Sequence, residues 1–359
     1  RYGVDLKERE EFTFSPVNFG VVLHAVIREV CDEIKKNGES YYLISEEKRR
    51  EMVKRSVAAI TDIYQNSILK DSSRNSFMIK RMEDLADRTV WAMGEQLKCG
   101  DFVPFVFEHK FNMEVGDGDR KQLMSGTIDR VDICENGTDV YVRIIDYKTG
   151  KKDFNIVKTY YGIDIQLMVY MEAAMKLVAK MRPGKNVIPA GVFYYNISDP
   201  IVSATTESAE EIEDKIKGEL RLKGMVNSDK DIAEKMDNTE GTSLNIPVSR
   251  KADGGFDSRR SKVMNTEQFN MLGRFVDVRA VDTADRIAGG DIRRSPYKDG
   301  QFSSCDRCPY GAVCGFSVDL PGCNYRKLKK FDDEVLWNNI KEGVDENGKK
   351  MDAGAEERD

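Results

Sequence analysis

Two stretches decide the fold: Gly126-Thr127-Ile128-Asp129-Arg130-Val131-Asp132, and Ile144-Ile145-Asp146-Tyr147-Lys148-Thr149-Gly150. Asp146 and Lys148 are two apart, so on a strand both point to one face. Val142 and Ile144 come just before them, on a strand apolar on both faces. A buried strand that ends in Asp-x-Lys is costly unless its charges pair or hold an ion. Asp129 lies on the preceding strand, in a hairpin with the Asp146 strand. Two carboxylates meeting at a strand end suit a hard divalent cation, which takes oxygen ligands and keeps room for water and a phosphate oxygen. A lysine beside such a cation can orient or help deprotonate a water and stabilise charge growing on a phosphate. The bland alternative is a buried Asp–Lys pair with no chemistry.

The pattern around these stretches sets the fold class. Val103 to Val115, Gln122 to Cys134 and Val140 to Tyr147 read as three strands, separated by the turn residues Gly116-Asp117-Gly118-Asp119 and Glu135-Asn136-Gly137. Short turns predict an antiparallel meander. Thr159 to Met181 reads as a helix ending before Pro183, and Gly191 to Ile197 as another strand. Upstream, Ser15-Pro16 is a helix start, Val17 to Lys36 is apolar at helical spacing, and Gly38 is a stop. Glu46 to Lys98 is helical with a break near Asp71-Ser72-Ser73. Asn265 to Ala288 is helical, and Ile292 to Leu328 is rich in Pro, Gly and Cys. The expectation is an α/β core behind a helical preamble. Its parts are a helical region over 1–100, a core over 101–200, a polar insertion or arm over 201–262, a helix and cysteine segment over 263–340, and a disordered tail over 341–359. Within the arm, Leu222 to Val226 and Ile246 to Val248 are apolar enough to pack.

Composition excludes several classes. The chain has 359 residues, 33% charged and 40% hydrophobic, with a net charge of −6. That describes a globular chain and carries no whole-chain signature of nucleic-acid binding. No apolar run reaches the roughly 20 residues of a membrane span. The nucleotide-phosphate loop GxxxxGK[ST] is absent. The first residue is Arg1, with neither a starting Met nor a signal peptide, which predicts a fragment of a longer protein.

Further residues gather around the acidic pair. Gln166 and Tyr170 are four apart on the helix that follows, hence on one face. His24, one of two histidines, sits on an apolar-patterned helix and is either a core residue or a neutral metal ligand. His109 reads as structural. Seven cysteines are too few for a disulfide scaffold. Three of them, Cys305-x2-Cys308-x5-Cys314, share a loop with Pro309 and Gly311, a spacing that suits a soft metal or an iron–sulfur cluster. Cys323 is the local candidate for a fourth ligand to zinc. Cys31, Cys99 and Cys134 read as small apolar residues. Lys148, Lys151, Lys152 and Lys158 form one basic group, Arg259, Arg260 and Lys262 a second, and Arg326, Lys327, Lys329 and Lys330 a third. Each is either a solvated face or a contact for phosphate. Tyr160 and Tyr161 either stack on bases or pack internally.

Taken together, His24, Gly126-x-x-Asp129-Arg130, Asp146-Tyr147-Lys148 and Gln166-x-x-x-Tyr170 resemble the PD-(D/E)XK nuclease superfamily, and within it the RecB-type branch. The resemblance implies a restriction-endonuclease-like core. It implies Mg²⁺ (or Mn²⁺) held by His24, Asp129, Asp146 and the main-chain carbonyl of Tyr147. Lys148 would be catalytic, and Gln166 and Tyr170 would line the site near DNA. Asp132 is the alternative first carboxylate, and Asp129 matches the family position. Glu108 also fits a family acidic position, with a solvated strand-edge role as the alternative.

The run from Cys305 to Phe316, with Pro321-Gly322 and Tyr325-Arg326, is similar to the C-terminal segment of the B-subunit family of AddAB-type helicase–nucleases. Arg1 to Arg9, Arg259 to Lys262, Phe275 and Gly290 to Ile292 fit the same family, so the resemblance covers nearly the whole chain. It implies a [4Fe–4S] cluster on Cys305, Cys308 and Cys314, with a fourth ligand upstream of Arg1 rather than Cys323. It also implies a bacterial, cytoplasmic exonuclease domain that resects double-strand breaks for recombinational repair. That domain would pair with an A subunit as a heterodimer and act on single-stranded DNA from an unwound duplex. The rival readings are a stand-alone cluster-bearing exonuclease, a non-catalytic nuclease fold for DNA binding or docking, and a zinc ribbon in place of the cluster.

Overall fold

The computed structural model of the protein describes residues 16–63, 73–116, 121–203, 208–306 and 308–356. The expected helix break at Asp71-Ser72 and the turn residues 117–119 lie outside them. The chain divides into two compact units. The first comprises 1–112, 125–154 and 166–270, and the second 113–124, 155–165 and 271–359.

The first unit is built on a sheet. Helices α1 (Pro16–Lys36), α2 (Glu46–Ile63) and α3 (Ser73–Lys98) precede strands β1 (Val103–Val115), β2 (Gln122–Asn136) and β3 (Asp139–Lys148). After the short helix α4 (Ile156–Tyr160) come α5 (Gln166–Met181), β4 (Asn186–Asn196), α6 (Ala209–Glu219), β5 (Lys223–Asn227), α7 (Lys230–Met236) and β6 (Val263–Met264). The six strands stand in the order β1-β2-β3-β4-β5-β6. β2 and β3 are antiparallel, as a hairpin requires, whereas β3 and β4 are parallel with α5 as the crossover.

Strand parity sorts the core. β3 is buried from Val140 to Tyr147, because both faces of the sheet are covered. Tyr141, Ile145 and Tyr147 join Phe193 and Tyr195 of β4 in one apolar cluster with Val22, Leu23 and Ile27 of α1 and Met93 of α3. The opposite face carries Val142, Ile144, Asp146 and Lys148, and α5 packs there with Leu167, Met168 and Met171 buried. The polar stretch 201–262 contributes to this body. β5 and β6 extend the sheet, and Leu222, Val226, Ile246 and Val248 are buried in the core. A few apolar residues at the right register suffice, and most of the charged ones between them face water, apart from the buried Asp237, which accepts from Ser243 and Asn245.

A buried ionic cluster clamps β2 to β3. Arg130 grips Asp132 with Nε on Oδ1 at 2.7 Å and Nη2 on Oδ2 at 2.6 Å, and Arg143 Nε reaches Oδ2 at 2.8 Å. All three side chains are at most 1% exposed. Asp132 and Arg143 face each other in the strand register, and the Arg143 guanidinium lies 4.8 Å over the Phe102 ring. Burial pushes the Asp132 carboxyl up, but the two guanidiniums outweigh it and hold the group below the usual carboxylate range.

In the second unit, α8 (Thr266–Ala288) leads to β7 (Tyr297–Asp299), β8 (Phe302–Ser303), α9 (Gly311–Cys314), β9 (Arg326–Lys327) and α10 (Asp333–Glu356). α8 starts within the first unit. The helix α10 runs on through most of the segment expected to be a tail. β7 pairs with β8 and, in parallel, with β9, so the cysteine loop is tied at both ends. No helix among the described residues is long and apolar enough to cross a membrane.

Removing one partner of the ionic cluster strands two buried guanidiniums. Asp132→Asn is expected to destabilise the protein by about 3–5 kcal/mol, read as a lowered denaturant midpoint. An unchanged midpoint would show that the cluster does not hold the hairpin.

Candidate active site

The site forms where the C-terminal end of β3 meets the middle of β2, on the α5 side of the sheet. Asp129 is one step beyond the Arg130–Ile145 pair in the antiparallel register, which places it across from Asp146. Its Oδ2 accepts a 2.6 Å hydrogen bond from the Tyr147 main-chain N–H. Asp146 is 2% exposed. Its Oδ1 accepts from Gln166 Nε2 at 3.0 Å, and its Oδ2 forms an ion pair with the Lys148 ammonium. Gln166 Nε2 also donates to the Tyr170 hydroxyl at 3.0 Å. Both hydrogens of the Gln166 amide are thus committed, and the Tyr170 hydroxyl keeps its own proton to donate.

The helix α1 brings in His24. Its Nδ1 lies 3.4 Å from Asp129 Oδ1 and 3.6 Å from Glu108 Oε1. The His24 ring also meets Tyr147 edge-on at 5.9 Å. One donor atom from each of His24, Glu108 and Asp129 fits within 4.8 Å of the others. Glu108 adopts φ of 48°, the sole positive value outside glycine among the described residues. That backbone costs on the order of 1–3 kcal/mol. It lies in β1, at the point where the carboxylate meets His24.

Electrostatics follow from burial. Desolvation opposes a charge on His24, but hydrogen bonds and charges from Asp129 and Glu108 outweigh it and raise its pKa to about 10. With no metal bound, an imidazolium bridges the two carboxylates, so a divalent cation would take the place of its proton. The Asp146 carboxyl is pushed up to about 6, first by burial and then by the Asp129 charge, against the pull of Lys148.

Gly126 explains its place in the motif. A Cβ there would stand 2.9 Å from two atoms of the Phe111 ring and 3.2 Å from Tyr170. Phe111 and Tyr170 pack edge to face at 5.6 Å, directly over the position a larger residue would fill. Glycine lets Tyr170 close on the strand.

The structure therefore gathers His24, Asp129, Asp146, Lys148, Gln166 and Tyr170, with the Tyr147 main chain between the two aspartates. It draws in Glu108 as well, for which the sequence offered only a position. Asp132 is on the opposite face, held by Arg130 and Arg143. Cys305 and Cys314 are half-buried and Cys308 is exposed, so none of the three is a core residue, unlike Cys31, Cys134 and Cys323. Their thiols do not form a three-donor group of the His24 kind. Tyr160 packs within its own unit, stacked on Phe275 at 5.5 Å and edge-on to Tyr161 at 5.3 Å.

The chain belongs to the PD-(D/E)XK nuclease superfamily, whose sequence profile matches residues 1–315. Among curated proteins it is similar to the B subunit of the ATP-dependent helicase/deoxyribonuclease of Thermoanaerobacter sp. (strain X514), with 33% identity over 98% of this chain and 31% of that protein. The protein of the same name from Caldanaerobacter subterraneus subsp. tengcongensis is 34% identical over all of this chain and 32% of its own length. That of Clostridium acetobutylicum is 33% identical over 97% and 31%. The chain spans less than a third of the length of these relatives.

The raised Asp146 pKa has a stability consequence with a definite sign. Its folded value, about 6, lies above its ordinary 3.8, so ionisation favours the unfolded chain and stability is lost as pH rises between them. With metal chelated, Asp146→Asn is expected to stabilise the protein at pH 7.5 by on the order of 2 kcal/mol. The gain should vanish below pH 4. Melting temperatures of both proteins at the two pH values check it, and an equal difference at both would refute it.

Proposed function

We propose that this chain is a metal-dependent DNA nuclease domain that cleaves phosphodiester bonds at the Asp129–Asp146 site. The observation that carries this reading is the convergence of His24, Glu108 and Asp129 donors beside the Asp146–Lys148 pair. Hard oxygen donors with one imidazole suit Mg²⁺ or Mn²⁺. His24, Asp129, Asp146 and the Tyr147 carbonyl would hold the cation, with Glu108 as a further oxygen donor. When bound, the cation supplies Lewis acidity to the phosphate and lowers the pKa of a water.

The protein's own groups do the rest. Lys148, held by Asp146, presents its ammonium where it can orient the attacking water and offset charge on the phosphate. The Tyr147 N–H fixes the Asp129 carboxylate. Gln166 ties Asp146 to Tyr170 and acts as a positioning residue. Tyr170 offers its hydroxyl proton to a substrate oxygen. The name shared by the relatives, together with the chain's likeness to under a third of their length, supports an exonuclease domain of a bacterial, cytoplasmic helicase–nuclease heterodimer. In that setting it would resect double-strand breaks for recombinational repair, acting on a strand delivered by its partner.

Cleavage of a labelled single strand in Mg²⁺ is the test. Asp146→Ala and Lys148→Ala are each expected to lower the rate by a factor of about 100 or more. Rates equal to the parent's would leave the fold as a docking or binding module.

The exposed or half-buried Cys305, Cys308 and Cys314 support a [4Fe–4S] reading, since small apolar residues would be buried. They would bind iron as thiolates, in a structural role. Protein purified without oxygen is expected to be brown and to contain iron. A colourless, zinc-loaded sample would replace the cluster with a zinc site.

A further inference from the structure

Of the run Asp129-Arg130-Val131-Asp132, only Asp129 takes part in the candidate site. Arg130 and Asp132 belong to the other face of the sheet, and strand parity puts the Tyr147 side chain there with them. Arg130 stands opposite Ile145 in the antiparallel register, so Tyr147, two residues further on, is its diagonal neighbour on that face. Such neighbours are about 7–8 Å apart at the backbone, within reach of long side chains.

The Tyr147 side chain is held at every point. Nε and Nη2 of Arg130 are taken by Asp132. The guanidinium's remaining partner is the Tyr147 hydroxyl, on which it acts through charge and hydrogen bonding. That hydroxyl also donates to the Met93 sulfur at 4.0 Å. The Tyr147 ring meets the His24 ring edge-on at 5.9 Å and the Tyr195 ring edge-on at 5.8 Å. A phenylalanine would fill the same apolar volume, whereas a buried phenol also needs a polar partner. Packing alone therefore does not account for a tyrosine here. The main chain of the same residue stands between the two aspartates of the site, and its N–H donates to Asp129 Oδ2 at 2.6 Å. Any rotation of Tyr147 moves that N–H and its carbonyl together.

We propose that Tyr147 is a positioning residue: its hydroxyl, anchored on the Arg130–Asp132–Arg143 cluster, fixes the main chain that aims the Asp129 carboxylate and the Tyr147 carbonyl at a bound cation. The inference rests on the metal-dependent reading of the site and adds residues that act on it from the opposite face of the sheet. The ionic cluster thus serves the site as well as the hairpin. Hydrogen-bonded groups behind metal ligands contribute about ten- to 100-fold to metal affinity.

Calorimetric titration of the full chain with Mn²⁺, with no nucleic acid present, tests it. Tyr147→Phe keeps the ring, the N–H and the carbonyl and removes only the anchor. It is expected to weaken Mn²⁺ binding about ten- to 100-fold. Tyr195→Phe removes a hydroxyl from another buried ring of the same apolar cluster and is expected to bind Mn²⁺ as the parent does. Arg130→Lys keeps a cation beside Asp132 but gives up the planar fork. It is expected to weaken binding as Tyr147→Phe does, and the two changes together to add less than about twofold, since both break one link. Melting curves of the same samples show that the titrated chains are folded. Should Tyr147→Phe melt early, Arg130→Lys carries the test. Parent-like Mn²⁺ affinity in the folded variants, or an equal loss in Tyr195→Phe, overturns the proposal. A parent chain that binds no Mn²⁺ overturns it together with the metal site on which it rests. The nuclease reading fails separately, through Asp146→Ala and Lys148→Ala chains that still cleave.

Discussion

A carboxylate inside a sheet must find a cation or give up its charge, and this constraint organises the first unit. Three aspartates lie at the buried junction of β2 and β3. Asp132 is answered within the fold by two guanidiniums at 2.6–2.8 Å. Asp129 and Asp146, on the other face, are answered incompletely by one imidazole and one ammonium. In the first arrangement both carboxylate oxygens are engaged, while the buried Arg143 Nη2 has no hydrogen-bond partner among the described residues. The second keeps oxygen donors in excess of fixed positive charge, and that surplus is what a divalent cation requires. One hairpin thus carries a clamp on one face and the proposed reactive centre on the other.

That division depends on parity. Asp129 and Asp132 are three apart, so a strand must send them to opposite faces. The same rule sets Asp146 and Lys148 together and sends Tyr147 into the apolar cluster with Tyr195 and Met93. The β3–α5–β4 crossover then brings Gln166 over Asp146, because a parallel pair needs a helix on the sheet face to return the chain. Gly126 completes the packing by leaving space for Tyr170 and Phe111.

Much of this was legible in the residues. The three strands, the α5 helix and the set from Asp129 to Tyr170 follow from spacing and turn chemistry. Gly162, at φ 72°, interrupts the expected helix over Thr159 to Met181, and the structure divides it into α4 and α5. The part played by 201–262 was obscured by its composition, since only a handful of apolar residues tie it to the sheet. Parity could have separated Asp132 from Asp129 beforehand. Glu108 was indicated only by the family resemblance, and its backbone turns to a positive φ that no local sequence rule demands.

The sequence by itself determined the nuclease core: which strand ends in carboxylate and lysine, which helix faces it, and which cysteines stand apart from the core. These are short-range facts, set by periodicities of 2 and 3.6 residues. The resemblance already set His24 beside Asp129; only the tertiary structure decided that Glu108 meets them within 4.8 Å, that Asp132 is neutralised, and that cations from α3, from the loop after β3 and from residues 221–262 line one groove. Those facts depend on which distant segments are adjacent. Chain spacing does not encode adjacency across the sheet; the burial of a shared core imposes it.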